Sequence, residues 1–272
     1  MSAAPPAARP VTPIGILAAR LHRLAALLDE AGVSSEIERA VREAEQLAAG
    51  LDPYLERHTT PESPALRALA AATAGHDWSG TGRAAVVLER EMLSGHVEGQ
   101  LLKTLVHLTR ARRVLDIGMF TGYSALAMAE ALPAGGRVVA CELDPAAAAF
   151  AAEHFRASGC GGRIEVRIGP AAATLAELGA TGHRFDLVFL DADKAGYLGY
   201  LATVLERDLL SAHGVVCVDN TLMQGEPWTG RRSPNATAIA EFNAAVAADP
   251  RVEQVLLPLR DGVTLIHRVD GR

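Results

Sequence analysis

The sequence is poor in lysine. Lys and Arg together number 26 in 272 residues, and only Lys103 and Lys194 are lysine. Arginine stays protonated at any ordinary pH whereas lysine can lose its proton, so each lysine here is a candidate for chemistry. Cysteine is also scarce. Cys141, Cys160 and Cys217 show no CxxC spacing, so neither a disulfide framework nor a thiolate metal site is expected. Histidine shows no HExxH pairing, and basic charge is in deficit: the net charge of −6 leaves no footprint for a nucleic-acid partner. No apolar run approaches the roughly 18 residues needed to span a bilayer. The opening MSAAPPAARPVTP has no apolar signal core and reads as a short tail over residues 1–12. GxGxxG and GK[ST] are missing too, so the usual dinucleotide and P-loop fingerprints do not apply. These absences predict a cytoplasmic protein with neither membrane nor nucleic acid among its partners.

What is present is a folded composition, 49% hydrophobic and 21% charged. Residues 13–82 read as a helical extension. Thr12-Pro13 caps a first helix with a stripe of Leu17, Leu21, Leu24 and Leu28, stopped by Gly32. Ser35 with Glu38 is spaced as a capping box for a second helix, carrying Ile37, Val41, Ala44 and Leu47 inward, with Gly50 at its end. A third helix is predicted from Ser63 to Gly75. The segment HDWSGTGR is the best boundary to a main domain over 83–272, which begins with helical stretches AAVVLEREML and HVEGQLLKTLVHLT.

Apolar strands then alternate with helices: RVLDIG (113–118), RVVACE (137–142), RIEVRI (163–168), FDLVFLD (185–191) and GVVCVDN (214–220). Unbroken apolar strands fit a parallel sheet covered on both faces. The final VEQVLLPLRDGVTLIHRV is two β runs around Asp261-Gly262, a hairpin signal. The fold class is therefore α/β: a doubly wound, mostly parallel seven-stranded sheet, Rossmann-like, with an N-terminal helical extension.

In such sheets ligands bind at the carboxyl ends of the strands, where the unusual residues cluster. The first strand leaves through DIGMFTGYS, placing Asp116, Gly118, Gly122 and Ser124 before a helix whose free N–H groups face a ligand. The second ends at Glu142, an acid about 25 residues past the glycine turn and so placed for ribose hydroxyls. Asp116 would repel a pyrophosphate but suits a cofactor with an amino group, such as S-adenosylmethionine. The fourth and fifth strands end at Asp191 and at Asp219-Asn220, beside Lys194. Two carboxylates and an amide oxygen suit a hard cation such as Mg²⁺. Each feature also has a plain reading as a turn or helix cap; their convergence on one sheet edge favours the site.

The stretches MLSGHVEGQLL, VLDIGMFTGYSALAMAEALP, GPA (169–171), FLDADKAGY, VDNTL and DPRVEQVLLPLRDGVTLIHR resemble the cation-dependent S-adenosylmethionine O-methyltransferases of catechol and caffeoyl-CoA type. This implies a class I methyltransferase domain in which Ser94, Asp116, Gly118, Met119, Ser124, Glu142, Ala171 and Asp193 hold the cofactor. It further implies that Asp191, Asp219 and Asn220 hold Mg²⁺ or Mn²⁺, that Lys194 deprotonates a hydroxyl held at that metal, and that the enzyme is a homodimer. Segments of the extension, with LEREMLSGHVEGQ and DNTLMQGEPW, resemble the branch of mycosporine biosynthesis, which implies demethyl-4-deoxygadusol as the methyl acceptor. Met223-Gln224 stand where the plant caffeoyl-CoA enzymes have Trp-Asn, which points away from a CoA ester. The competing readings are a catechol-type phenolic methyltransferase, a nicotinamide dehydrogenase and a non-catalytic cofactor-binding protein.

Overall fold

The structure, a computed structural model, describes residues 9–78, 88–230 and 233–269. Three N-terminal helices come first: α1 (Pro13–Ala31), α2 (Ser35–His58) and α3 (Pro64–Gly75). Thr12 and Ser63 cap α1 and α3 through their hydroxyls, accepting from the N–H of Gly15 and of Leu66. Three expectations fail here. Ser34, not Ser35, is the cap residue of α2 and makes no side-chain bond, so the Ser35–Glu38 box does not form. α2 also runs through Gly50 and Pro53 to His58, because the main-chain ladder outweighs one poor helix former. Third, the apolar stripes do not face a core. Leu17, Leu24, Ile37 and Leu47 are exposed, and α1 and α2 pack on one another with only Ala25 and Ala48 buried.

Residues 79–87, which hold most of the connector HDWSGTGR and the first four residues of AAVVLEREML, lie outside the described residues. Within the latter, Arg90–Met92 form a single 3₁₀ turn and not an α-helix. After this turn α4 (Gly95–Leu108) leads into the alternation β1 (Arg113–Ile117), α5 (Tyr123–Ala131), β2 (Arg137–Glu142), α6 (Pro145–Ala157), β3 (Ile164–Ile168), α7 (Ala171–Ala180), β4 (Phe185–Leu190), α8 (Tyr197–Glu206) and β5 (Leu210–Val218). A short α9 (Glu226–Thr229), α10 (Pro234–Ala248), β6 (Val252–Leu257) and β7 (Val263–Arg268) complete the fold. No helix among the described residues is long and apolar enough to cross a membrane.

The strands form one seven-stranded sheet in the order β3-β2-β1-β4-β5-β7-β6. The first five are parallel, and β7 joins β5 antiparallel and pairs with β6 through the hairpin at Asp261-Gly262. The central strands β1 and β4 are buried except at Arg113 and Asp186, while the edge strands β3 and β6 are largely open and carry exposed Glu165, Glu253 and Gln254, charge and polarity that suit an edge. One face is packed by Leu102, Val106, Leu126 and Met128, the other by Leu175, Tyr197, Ile239 and Phe242. Chain order reverses between β1 and β4, which opens the crevice where such sheets bind ligands.

Candidate active site

The two sides of that crevice meet at Gly118. Its φ of 94° lies in the left-handed region, and a Cβ there would collide with the main-chain oxygen of Asp191. Gly122, at φ 87°, carries the turn into α5, and a side chain would strike Phe155. The glycines thus let the β1 turn lie against the β4 end, which is a packing requirement as well as an opening for a ligand.

Asp116 is fully buried in β1. Its Oδ2 accepts from Ser124 Oγ at 2.7 Å, while Oδ1 has no partner. Burial pushes its carboxyl from the ordinary 3.8 to about 7, against the pull of the Ser124 hydroxyl. An orphaned buried carboxylate oxygen fits a cofactor that brings an ammonium group. Glu142, nearly buried, accepts the N–H of Phe120 at 2.7 Å and of Asp144 at 2.8 Å, one on each oxygen. It therefore shapes the glycine turn through Phe120, itself at φ 50°, and keeps a lone pair on each oxygen for hydroxyl donors. Ser94 and Met119 are buried beside this turn and at the entry of α4, and Ala171 opens α7 past the end of β3. Asp193 is exposed, accepts the Tyr200 hydroxyl at 2.6 Å and begins the 3₁₀ turn that includes Lys194.

At the other side, Leu190 of β4 pairs with Val218 of β5, so Asp191 and Asp219 leave neighbouring strand ends. Asp219 Oδ1 accepts the Asn220 N–H at 2.6 Å, and Asn220 Nδ2 lies 3.5 Å from Asp261 Oδ2. Lys194 Nζ donates to Asp191 Oδ1 at 2.9 Å, to the Ala192 carbonyl at 3.2 Å and to Tyr197 Oη at 2.7 Å. Among the described residues, Asp191 Oδ2, Asp219 Oδ2 and Asn220 Oδ1 accept no hydrogen bond. Three free oxygens without sulfur or imidazole form a donor set that fits Mg²⁺ or Mn²⁺. Burial first, and Asp191 second, raise the Asp219 carboxyl to about 7, against the pull of the Lys194 and Arg260 charges. Among the described residues no group of three or more His, Cys, Asp or Glu is placed to hold a metal ion by itself, so such a set would include the amide of Asn220.

Comparison with known proteins decides the family. The family model described as O-methyltransferase matches residues 61–269. The chain belongs to the O-methyltransferase family. Over 231 residues, 79% of this chain and 88% of the relative, it is 34% identical to a caffeoyl-CoA O-methyltransferase of Petroselinum crispum. It is 38% identical over 189 residues to the O-methyltransferase ankF of Aspergillus thermomutatus, covering 64% of this chain and 78% of that one. Among solved structures it superposes on the SAH-bound Podospora anserina methyltransferase PaMTH1 with a TM-score of 0.72 and 30% identity, over 83% of this chain and 97% of that one. The SAM complex of TomG from Streptomyces achromogenes matches with a TM-score of 0.67 and 28% identity, over 81% and 96% of the two chains.

The protein is thus an S-adenosylmethionine-dependent O-methyltransferase with the Rossmann-like methyltransferase fold. All the site residues expected from the sequence lie at the carboxyl ends of β1–β5 or at the start of α4. Four further residues of this methyltransferase were not singled out. Tyr197 is fully buried, receives Lys194 and donates to the Asp219 carbonyl at 3.1 Å. Asp261 both turns the last hairpin and faces Asn220, and it accepts the Gln224 N–H. Glu98 and Arg260 form an ion pair at 3.5 Å. Only the short distance from Lys194 to Tyr197 along the chain was a readable signal; the others join segments far apart in sequence.

Proposed function

We propose that this methyltransferase is cation-dependent and transfers the methyl group of S-adenosylmethionine to a ring hydroxyl flanked by a second oxygen, with demethyl-4-deoxygadusol as acceptor. The observation that carries the reading is Lys194, seated at the ends of β4 and β5 between Asp191 and Tyr197 and beside three free ligand oxygens. When bound, the cofactor supplies an electrophilic methyl carbon and the cation supplies positive charge beside the acceptor oxygens. In the chain, Asp191, Asp219 and Asn220 would hold the cation. Ser94, Asp116, Gly118, Met119, Ser124, Glu142, Ala171 and Asp193 would hold the cofactor, Asp116 through its amino group and Glu142 through its ribose hydroxyls. As the neutral amine Lys194 takes the acceptor proton on Nζ, giving the ammonium whose three N–H groups Asp191, the Ala192 carbonyl and Tyr197 hold. Vicinal enol and hydroxyl oxygens on a six-membered ring can meet the ligand set as a catechol would. The enzyme acts in the cytoplasm as a homodimer, and the exposed Leu17, Leu24, Leu27, Ile37 and Leu47 of α1 and α2 support an interface there.

Purified protein given demethyl-4-deoxygadusol and labelled cofactor should release 4-deoxygadusol. Methylation of simple catechols with none of this acceptor would transfer the assignment to phenolic substrates.

The cofactor role of Asp116 has its own test. A carboxyl at about 7 in the fold against 3.8 when unfolded means that folding favours the protonated form. Its contribution to stability is complete below about pH 4 and is lost as pH rises through about 7, an upper limit of about 4 kcal/mol. Asp116→Asn should therefore stabilise the cofactor-free protein increasingly between pH 5 and 8 while weakening S-adenosylmethionine binding. Denaturant unfolding showing the same gap at both pH values would remove the buried-charge argument; unchanged calorimetric affinity would remove the ammonium contact.

A further inference from the structure

Arg260 occupies the turn between β6 and β7 with φ 50°, a left-handed conformation unfavourable for a long side chain. Such a residue persists where its surroundings hold it, and here the guanidinium is held. Nε lies 3.5 Å from Glu98 Oε2 and Nη2 donates to the Leu93 carbonyl at 3.2 Å. Nη1 lies over Gly95, where a Cβ would collide with it, and has no acceptor among the described residues. The side chain keeps 26% of its surface exposed.

Its partner is unusual. Glu98 is completely buried on α4, and neither carboxylate oxygen accepts a hydrogen bond. Burial, then Asp219, push its carboxyl well up, and Arg260 opposes them. The Arg260 charge is felt at Asp219 and Asp261 as well, and the Lys194 charge at the same acids. Arg260 directly precedes Asp261, whose Oδ2 lies 3.5 Å from Asn220 Nδ2, and its guanidinium reaches Leu93 and Gly95 on either side of Ser94, so it borders the crevice that holds Lys194 and the ligand oxygens. Four acids, Asp191, Asp219, Asp261 and Glu98, gather there, and Lys194 is already engaged by Asp191. For an acceptor arriving with negative charge, Arg260 offers a fixed cation of the chain whose Nη1 has no acceptor among the described residues.

We propose that Arg260 selects the acceptor, its open guanidinium edge binding a negatively charged oxygen of the substrate while buried Glu98 and the Leu93 carbonyl hold the guanidinium in place. This rests on the methyl-transfer reading above and narrows it to anionic ring acceptors. Guanidinium pairs with negatively charged oxygens through charge-assisted hydrogen bonds that a neutral acceptor cannot match.

The test uses the full chain loaded with SAH and Mg²⁺, titrated calorimetrically with 3,4-dihydroxybenzoate and with 3,4-dihydroxybenzyl alcohol. The two share a ring and a vicinal oxygen pair and differ in charge. The acid should bind tenfold or more tighter. Arg260→Gln should bring the ratio of the two affinities close to one, Arg260→Lys should retain most of it, and SAH affinity should stay unchanged in both. Equal weakening of both ligands by Arg260→Gln overturns the proposal, and should Arg260→Gln not fold, loss of the charge preference in Arg260→Lys overturns it instead. Methyl transfer to demethyl-4-deoxygadusol separates the two readings. A preserved charge preference between the two catechols with no transfer to demethyl-4-deoxygadusol sinks the methyl-acceptor assignment alone, and transfer to it without charge preference sinks the Arg260 role alone.

Discussion

Exhaustive chelation with EDTA should reduce methyl transfer to background, and Mg²⁺ or Mn²⁺ should restore it. Asp191 Oδ2, Asp219 Oδ2 and Asn220 Oδ1 are the free oxygens at the ends of β4 and β5, and each lacks a hydrogen-bond donor among the described residues. Burial first, and repulsion from Asp191 second, raise the Asp219 carboxyl to about 7. A divalent ion held there would offset that repulsion and orient two adjacent acceptor oxygens. Orientation of reactants is worth on the order of 7–11 kcal/mol of barrier, so its loss should outweigh that of any single proton-transfer group. A second readout does not depend on turnover. The ion binds the folded state and should raise the melting temperature with increasing concentration. Asp219→Asn should lose that rise. Full activity after chelation, or no stabilisation by either ion, would reduce these acids to turn and cap residues.

The sheet and its strand ends were legible because both signals are local. Each strand is an apolar run bounded by turn residues, and the chemistry-bearing residues sit one or two positions past its end. β5 begins at Leu210, earlier than the expected Gly214, because Leu210 to His213 contain polar residues at a strand start that is only partly covered. Helical pattern alone misled at the N-terminus. The stripes of α1 and α2 have the right period for a core, but no sheet lies beneath them, and the period cannot say what a face meets. The Ser35–Glu38 spacing failed for a similar reason: a cap depends on which residue adopts extended dihedrals, and Ser34 does. Glu98, Arg260 and Asp261 were illegible as site residues because each gains its role from a partner far along the chain, Glu98 with Arg260 and Asp261 with Asn220. The sequence reading of Asp261-Gly262 as a hairpin turn holds; its contact with Asn220 is a second role that only the folded chain supplies.

Lys194→Arg should lower kcat by about 10²-fold or more, the scale of lost general-base catalysis, with cofactor affinity nearly unchanged. In the structure Lys194 Nζ is fixed by Asp191 Oδ1, the Ala192 carbonyl and Tyr197 Oη, so its position is set by three acceptors before any substrate arrives. Tyr197 in turn donates to the Asp219 carbonyl, which ties the amine to the strand end that carries the ligand oxygens. Arginine retains the positive charge and satisfies the same acceptors, yet it cannot give up its proton at any working pH. The substitution therefore separates a base from an electrostatic clamp. If the amine is the base, the variant should recover in part at high pH, where the acceptor hydroxyl ionises unaided and the missing base matters less. Tyr197→Phe provides a graded comparison, since it leaves the amine in place and removes one of its three anchors; its loss of kcat should be smaller and should not be relieved by raising the pH. A Lys194→Arg enzyme with near-normal kcat at neutral pH would make the lysine a charge alone. Generation of the nucleophile would then rest on Asp191, Asp219 and Asn220 and the cation they hold.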